Sequence, residues 1–165
     1  LSFAFTAGMA QTLTALFRTR TVKKQYLAVV HGLIPEKGVI DEPLEKNKEK
    51  VKEAAITDYV RVAFVEVEWE GEKRQYSLVK CDPRTGRYHQ IRRHLRFLGH
   101  PIVGDPTYGN SWDAKEFLAR FGVKRTLLSA VSLAFPDRAL EKMVRVSTKP
   151  DQDFLRVVKA FGWPG

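Results

Sequence analysis

The sequence predicts an α+β fold in which a mixed, mainly antiparallel sheet is flanked by helices, all within a single domain over 1–165. Three observations support this. Stretches rich in β-branched and aromatic residues recur at 24–32, 56–69, 75–81, 127–135 and 143–147, the composition of strands. Between them lie segments whose apolar residues recur at helical spacing. The two kinds alternate without a regular βαβ rhythm, which argues against a doubly wound parallel sheet. At this length a chain buries roughly 70% of its unfolded surface, enough for a core without staples.

Residues 1–5, Leu-Ser-Phe-Ala-Phe, read as a strand with no polar leader, so the chain is expected to be a fragment that opens inside a fold. Thr6 is placed to cap a helix in which Met9, Leu13, Leu16 and Phe17 make one apolar stripe. The strand 24–32 ends on Gly32. A turn at 35–38 and a short extended piece at Val39 and Ile40 follow, stopped by Pro43. Residues 45–53 are mostly Lys and Glu without apolar period, and are expected to be a solvated loop or a short exposed helix. From Val65 to Glu70 apolar and acidic residues alternate strictly, so one face of that strand is buried. A hairpin turn at 70–73 leads to the return strand 75–81 and then to Asp82-Pro83. Residues 99–109 form a glycine and proline punctuated loop, 113–121 a helix, and 127–135 and 143–147 strands joined across a turn at Pro136-Asp137. Residues 151–161 close the chain as a helix.

Charge concentrates where the strand 75–81 delivers the chain. The formal net charge is +9, which favours a polyanionic partner such as nucleic acid. From 83 to 104 there is no Asp or Glu, yet Arg84, Arg87, Arg92, Arg93 and Arg96 all fall there. A helix started by the Gly86 turn would put Ile91, Leu95 and Leu98 on a packing stripe, and His89, Arg92, Arg93 and Arg96 on another. Backbone amides at such a start favour an anion. Composition and spacing leave a solvated basic helix and an anion site equally open, and an anionic membrane surface competes for the charge.

Other chemistries find no support. His89 and His94 diverge around a helix, no carboxylate accompanies them, and the arginines would repel a cation, so no metal site is expected. No phosphate-loop, dinucleotide or nucleophile-elbow pattern occurs, and no nucleotide cofactor is expected. The single cysteine, Cys81, reads as a buried strand residue. No apolar run is long enough to span a bilayer, and the chain is expected to be cytoplasmic. Asp105, between Gly104 and Pro106, reads either as a catalytic acid or as a turn carboxylate bonding amides or pairing with an arginine. Tyr26 reads as a strand tyrosine of the core or of a site.

Three strings carry a resemblance: Lys24-Gln25-Tyr26-Leu27-Ala28-Val29-Val30-His31-Gly32, Thr85-Gly86-Arg87-Tyr88-His89-Gln90-Ile91-Arg92-Arg93-His94-Leu95, and Leu98-Gly99-His100-Pro101-Ile102-Val103-Gly104-Asp105. In order and content they resemble the RluA-type pseudouridine synthases. The resemblance implies cofactor-free isomerisation of uridine in RNA. It places Tyr26 against the target base and Arg92 beside the family's attacking aspartate, with Lys23, Lys24, Arg84, Arg87, His89, Arg93 and Arg96 toward RNA. That aspartate lies in an Arg-Leu-Asp-x-x-Thr-Ser-Gly string ahead of the segment equivalent to 1–5. No such string occurs here, and none of the chain's aspartates matches it. Ser129 stands where many relatives have histidine. The segment after Pro43-Leu44, the string Phe121-Gly122-Val123-Lys124-Arg125 and the closing Phe161-Gly162-Trp163 most resemble a branch of the family acting on tRNA rather than ribosomal RNA. A monomer is expected. A non-catalytic RNA-binding module is the alternative expectation.

Overall fold

A long hairpin forms the middle of the sheet. In the computed structural model, which describes residues 7–18, 21–46, 51–137 and 141–164, β5 (Ile56–Trp69) and β6 (Glu72–Pro83) pair antiparallel from Trp69↔Glu72 to Thr57↔Pro83. The turn is tighter than the expected 70–73. Only Glu70 and Gly71 lie in it, both at positive φ, the backbone that matches the twist of paired strands in a two-residue hairpin.

The other strands assemble around this hairpin in the order β2-β5-β6-β1-β7-β8, and every pairing is antiparallel. Strand β1 is Lys23–His31, β2 is Lys37–Asp41, β7 is Leu128–Asp137 and β8 is Lys142–Ser147. Four helices complete the chain: α1 (Ala7–Arg18), α2 (Gln90–Phe97), α3 (Ser111–Phe121) and α4 (Gln152–Ala160). None among the described residues is long and apolar enough to cross a membrane. The expected strand at 1–5 and the Thr6 cap lie outside the described residues. Within α1, Leu16 is buried.

Two expectations are corrected. Residues 45–53 are not simply loop: β3 (Leu44–Glu45) and β4 (Lys52–Glu53) make a small separate ladder, and the amide of Lys46 donates to Val51 O at 3.0 Å. Pro136 and Asp137 are not a turn but the last residues of β7, paired with Met143 and Lys142. Proline is tolerated there because the β1 ladder stops at Ala134, so only one side of β7 is engaged.

Each sheet face has its own core. Ala28, Val30, Tyr59, Val79 and Cys81 pack with Ile91 and Leu95 of α2, with Tyr26 against their edge. On the opposite face Val29, Trp69, Tyr76 and Leu78 pack with Phe117 of α3 and Phe154, Val157 and Val158 of α4. A bulge between Arg61 and Ala63 lets β5 serve both. One extra residue reverses the alternation, so Tyr59 faces α2 whereas Val65 and Val67 face α3 and α4. Burial pushes the Cys81 thiol up to about 12, an inert interior residue.

Candidate active site

The arginine-rich segment leaves the sheet at Pro83 and returns as α2, fastened by the amide of Gln90. Its Oε1 accepts from Thr85 Oγ1 at 2.6 Å and from the backbone N–H of Arg87 at 3.0 Å. Its Nε2 donates to Ile56 O and to Thr57 Oγ1. Thr85 in turn accepts from the Ile56 amide. Gln90 and Thr85 are both buried, and their polar atoms satisfy one another. One of the amides at this turn is therefore spent on Gln90, not held open for an anion.

Thr57 continues the network to His94. Because Thr57 Oγ1 receives a proton from Gln90, its own hydroxyl is free to donate to His94 Nδ1 at 2.9 Å. His94 Nε2 faces the carbonyl of Glu42 at 3.0 Å and must carry the ring proton. The imidazole is thus neutral, and burial depresses its pKa. His94 is a structural histidine that clamps α2 over β5.

On the exposed side, Arg92 reaches across to the 99–109 loop. Its Nε donates to Asp105 Oδ2 at 2.6 Å and its Nη2 to Oδ1 at 2.7 Å. Asp105 Oδ1 also accepts from the amides of Thr107 and Tyr108, so Asp105 bonds backbone amides and pairs with an arginine at once. Burial alone would raise the Asp105 carboxyl, but the Arg92 guanidinium and the two amides together hold it below the usual carboxylate range. The loop owes its shape to glycine. At Gly104, φ is +74° and a side chain would collide with the carbonyl of Arg125, while one at Gly109 would collide with that of Asp105.

The guanidinium also lies over the Tyr108 ring, 5.0 Å from its centroid, and its remaining hydrogen-bond partner is His89. This residue precedes α2 in the left-handed region, φ 53°, without capping the helix by its side chain. Such a backbone costs a residue with a Cβ roughly 1 to 2 kcal/mol. His89 Nε2 lies 2.8 Å from Arg92 Nη1, and since a guanidinium only donates, that nitrogen accepts. The proton then sits on Nδ1, 3.4 Å from Tyr108 Oη. Desolvation first, and the Arg92 charge second, lower the His89 pKa. Asp105 takes two donors of the fork and His89 a third, which leaves the outer donors of Arg92 uncommitted.

The other expected site residues divide into three groups. Arg84 forks onto Asp58 at 2.6 and 2.5 Å, and Arg87 meets Glu53 at 2.8 Å and the carbonyl of Ala54. Their charges, uncompensated by sequence neighbours, are compensated across the fold. Among the described residues Arg93 donates only to the carbonyl of Glu45, and Arg96 is exposed with no partner. Lys24 and Tyr26 share one face of β1, with Tyr26 opposite Cys81. The Lys24 ammonium comes within 3.3 Å of the position a Gly86 side chain would take, so β1 and the arginine turn form one surface. Burial lowers the Lys24 pKa and raises that of Tyr26. Lys23 is exposed, and alternation directs it to the other face.

An antiparallel sheet bearing a basic turn and helix over a tyrosine strand defines the class, and the chain belongs to the RNA pseudouridylate synthase family, whose model matches residues 1–97. It is 35% identical over 175 residues to tRNA pseudouridine synthase C of Haemophilus ducreyi, an alignment covering 99% of this chain and 72% of that protein. The protein of the same name from Pasteurella multocida is 34% identical with the same coverage. Among solved structures, human RNA Pseudouridylate Synthase Domain Containing 1 superposes with a TM-score of 0.73 at 29% identity, over 90% of this chain and 62% of that one. The chain thus spans about three-fifths of the length of that human protein.

Proposed function

We propose that the protein carrying this sequence isomerises uridine to pseudouridine in structured RNA, with tRNA as the substrate, and works as a cytoplasmic monomer without a cofactor; the attacking aspartate is not among these 165 residues. In that reaction the bond between uracil N1 and the ribose breaks, the base turns, C5 joins the sugar, and the C5 proton leaves while N1 gains one. Supporting the tRNA assignment are the names of the bacterial relatives. The single observation that carries the reading is the packing of Tyr26 against the cluster that includes Ile91 and Leu95 of the basic helix, which supports one face shared by Tyr26 and the arginine cluster.

On this reading Tyr26 offers its ring to the extruded base, and burial keeps its hydroxyl protonated. The outer donors of Arg92 are left to pair, through a charge-assisted fork, with the family's attacking carboxylate, which none of this chain's aspartates supplies, while Asp105 and His89 fix the guanidinium. Arg93, Arg96 and Lys24 take RNA phosphates.

The deciding measurement is release of tritium from C5-tritiated uridine in tRNA and ribosomal RNA transcripts by the full-length protein. Release from tRNA is expected. Release from ribosomal RNA alone would move the substrate, and release from neither would overturn the enzyme reading.

A further inference from the structure

Beside Arg92 lies an aromatic surface that the reaction as described does not use. Tyr88 is 63% exposed, and its ring stacks on His89 at 3.7 Å between centroids and 24° between planes. His89 is itself clamped by Arg92 Nη1 on one nitrogen and by Tyr108 Oη on the other, and its ring meets the Tyr108 ring edge-on at 5.8 Å. One face of Tyr88 is therefore backed by a fixed, neutral ring. The Tyr88 hydroxyl has no hydrogen-bond partner among the described residues, so the stack on His89 is what places this ring and its outer face is open.

Its surroundings are cationic. Arg87 precedes it, Arg93 lies on the first turn of α2, and the His89 ring on which it stacks is held by Arg92 Nη1 at 2.8 Å. A flat ring standing among arginines is the arrangement that holds single-stranded nucleic acid, where bases stack and phosphates pair. A double-stranded helix presents no free base face to such a ring, whereas an unpaired nucleotide does. The left-handed backbone at His89 turns the chain so that the two rings lie face to face, a strained arrangement of the kind that clusters at functional sites.

We infer that Tyr88, backed by His89, is a stacking platform for an unpaired RNA base that flanks the isomerised uridine, a contact separate from the reception of the target base at Tyr26. The inference rests on the RNA-modifying reading above. It makes the enzyme selective for uridines in loops whose neighbours are also unstacked.

The test compares wild type, Tyr88→Ala and Tyr88→Phe in the full-length protein, by fluorescence anisotropy with a labelled tRNA hairpin and with a fully paired RNA duplex. Tyr88→Ala is expected to weaken hairpin binding by about 5- to 150-fold, the range that base stacking on an aromatic ring spans, and to leave duplex binding unchanged. Tyr88→Phe, which keeps the ring, is expected to bind the hairpin as the wild type does. In turnover the alanine variant raises KM and spares kcat at saturating RNA. Equal hairpin affinity in wild type and Tyr88→Ala would overturn the platform alone, as would equal losses on hairpin and duplex. A wild type that binds no RNA would overturn both this inference and the reading beneath it. Thermal unfolding of the alanine variant, truncated at a largely exposed ring, is expected to match the wild type.

Discussion

Arg92 and Asp105, thirteen residues apart, meet in a bidentate ion pair whose carboxylate is wholly buried and whose guanidinium is 16% exposed. The pair ties α2 to the 99–109 loop and, with His89 on Nη1, leaves two donors of Arg92 uncommitted. Removing one partner of a buried pair strands the other charge, at about 3 to 5 kcal/mol, and the residual exposure of Arg92 argues for the lower figure. Asp105→Asn is therefore expected to lose about 3 kcal/mol in urea unfolding at neutral pH. Because the folded carboxyl lies below its ordinary value, the pair's contribution is complete above about pH 4 and is lost as pH falls through the depressed folded value. A variant as stable as the wild type at pH 7 would deny the pair this role.

Arg92→Ala tests the same guanidinium from its chemical side. If its outer donors serve a protein carboxylate, turnover falls by orders of magnitude while RNA affinity changes little. Comparable losses in kcat and in affinity would instead place Arg92 among the phosphate contacts.

The basic residues are expected to contribute unequally to the salt dependence of RNA binding. Arg93 gives a hydrogen bond to a carbonyl and keeps its charge, and Arg96 is unpaired among the described residues. Each is expected to add roughly 0.9 to the log-log slope on a duplex. Arg84 and Arg87 already face Asp58 and Glu53, so their alanine variants should change the slope less. A ranking in the opposite order would show that RNA displaces those carboxylates.

Much of the fold was readable because alternation and glycine punctuation mark β5, β1 and the ends of the loops. The reversal of faces at the Arg61/Ala63 bulge was not, since apolar residues fall on both odd and even positions between Tyr59 and Val65 and only pairing with β6 shows the extra residue. The site was legible as a list of types. Its pairings were not: Glu53, Asp58 and Glu45 approach the arginines from segments far back in the chain. Asp105 is the intermediate case, because its turn setting pointed to amides and an arginine but not to which arginine. Gln90 and His94, polar residues on a basic helix, become buried only because Thr57, Thr85 and Glu42 O are waiting for them.

His94 gives the fold a pH dependence of definite sign. Neutral and buried, it has a folded pKa below its unfolded value near 6.5. The unfolded chain therefore takes up the proton first. The stabilisation is fully present above about pH 6.5 and is lost as pH falls through the folded value. His94→Gln, whose amide can accept from Thr57 and donate toward Glu42 O, is expected to cost some stability at pH 7.5 but to flatten the decline between pH 7 and 5. His89, also depressed, contributes a decline of the same sign. A decline as steep in His94→Gln as in the wild type would move the titration elsewhere.

Gln90 offers the sharpest separation of scaffold from chemistry. Its amide makes four hydrogen bonds, to Thr85, Arg87, Ile56 and Thr57, and Gln90→Leu would leave those buried partners with weaker substitutes or none. A stranded buried polar group costs about 1 to 3 kcal/mol, and the Ile56 carbonyl and Arg87 amide both lose a partner, so a loss of about 3 kcal/mol is expected in urea unfolding. Because Gln90 sets the path from Arg84 to His89, the same variant should weaken RNA binding at temperatures where it remains folded. Gln90→Glu keeps the shape but cannot donate to Ile56 O and Thr57 Oγ1 when ionised, and it is expected to recover stability as pH falls below about 5, where protonation restores a donor. Stability that changes no differently with pH in Gln90→Glu than in the wild type would mean that the donor side of this amide is dispensable.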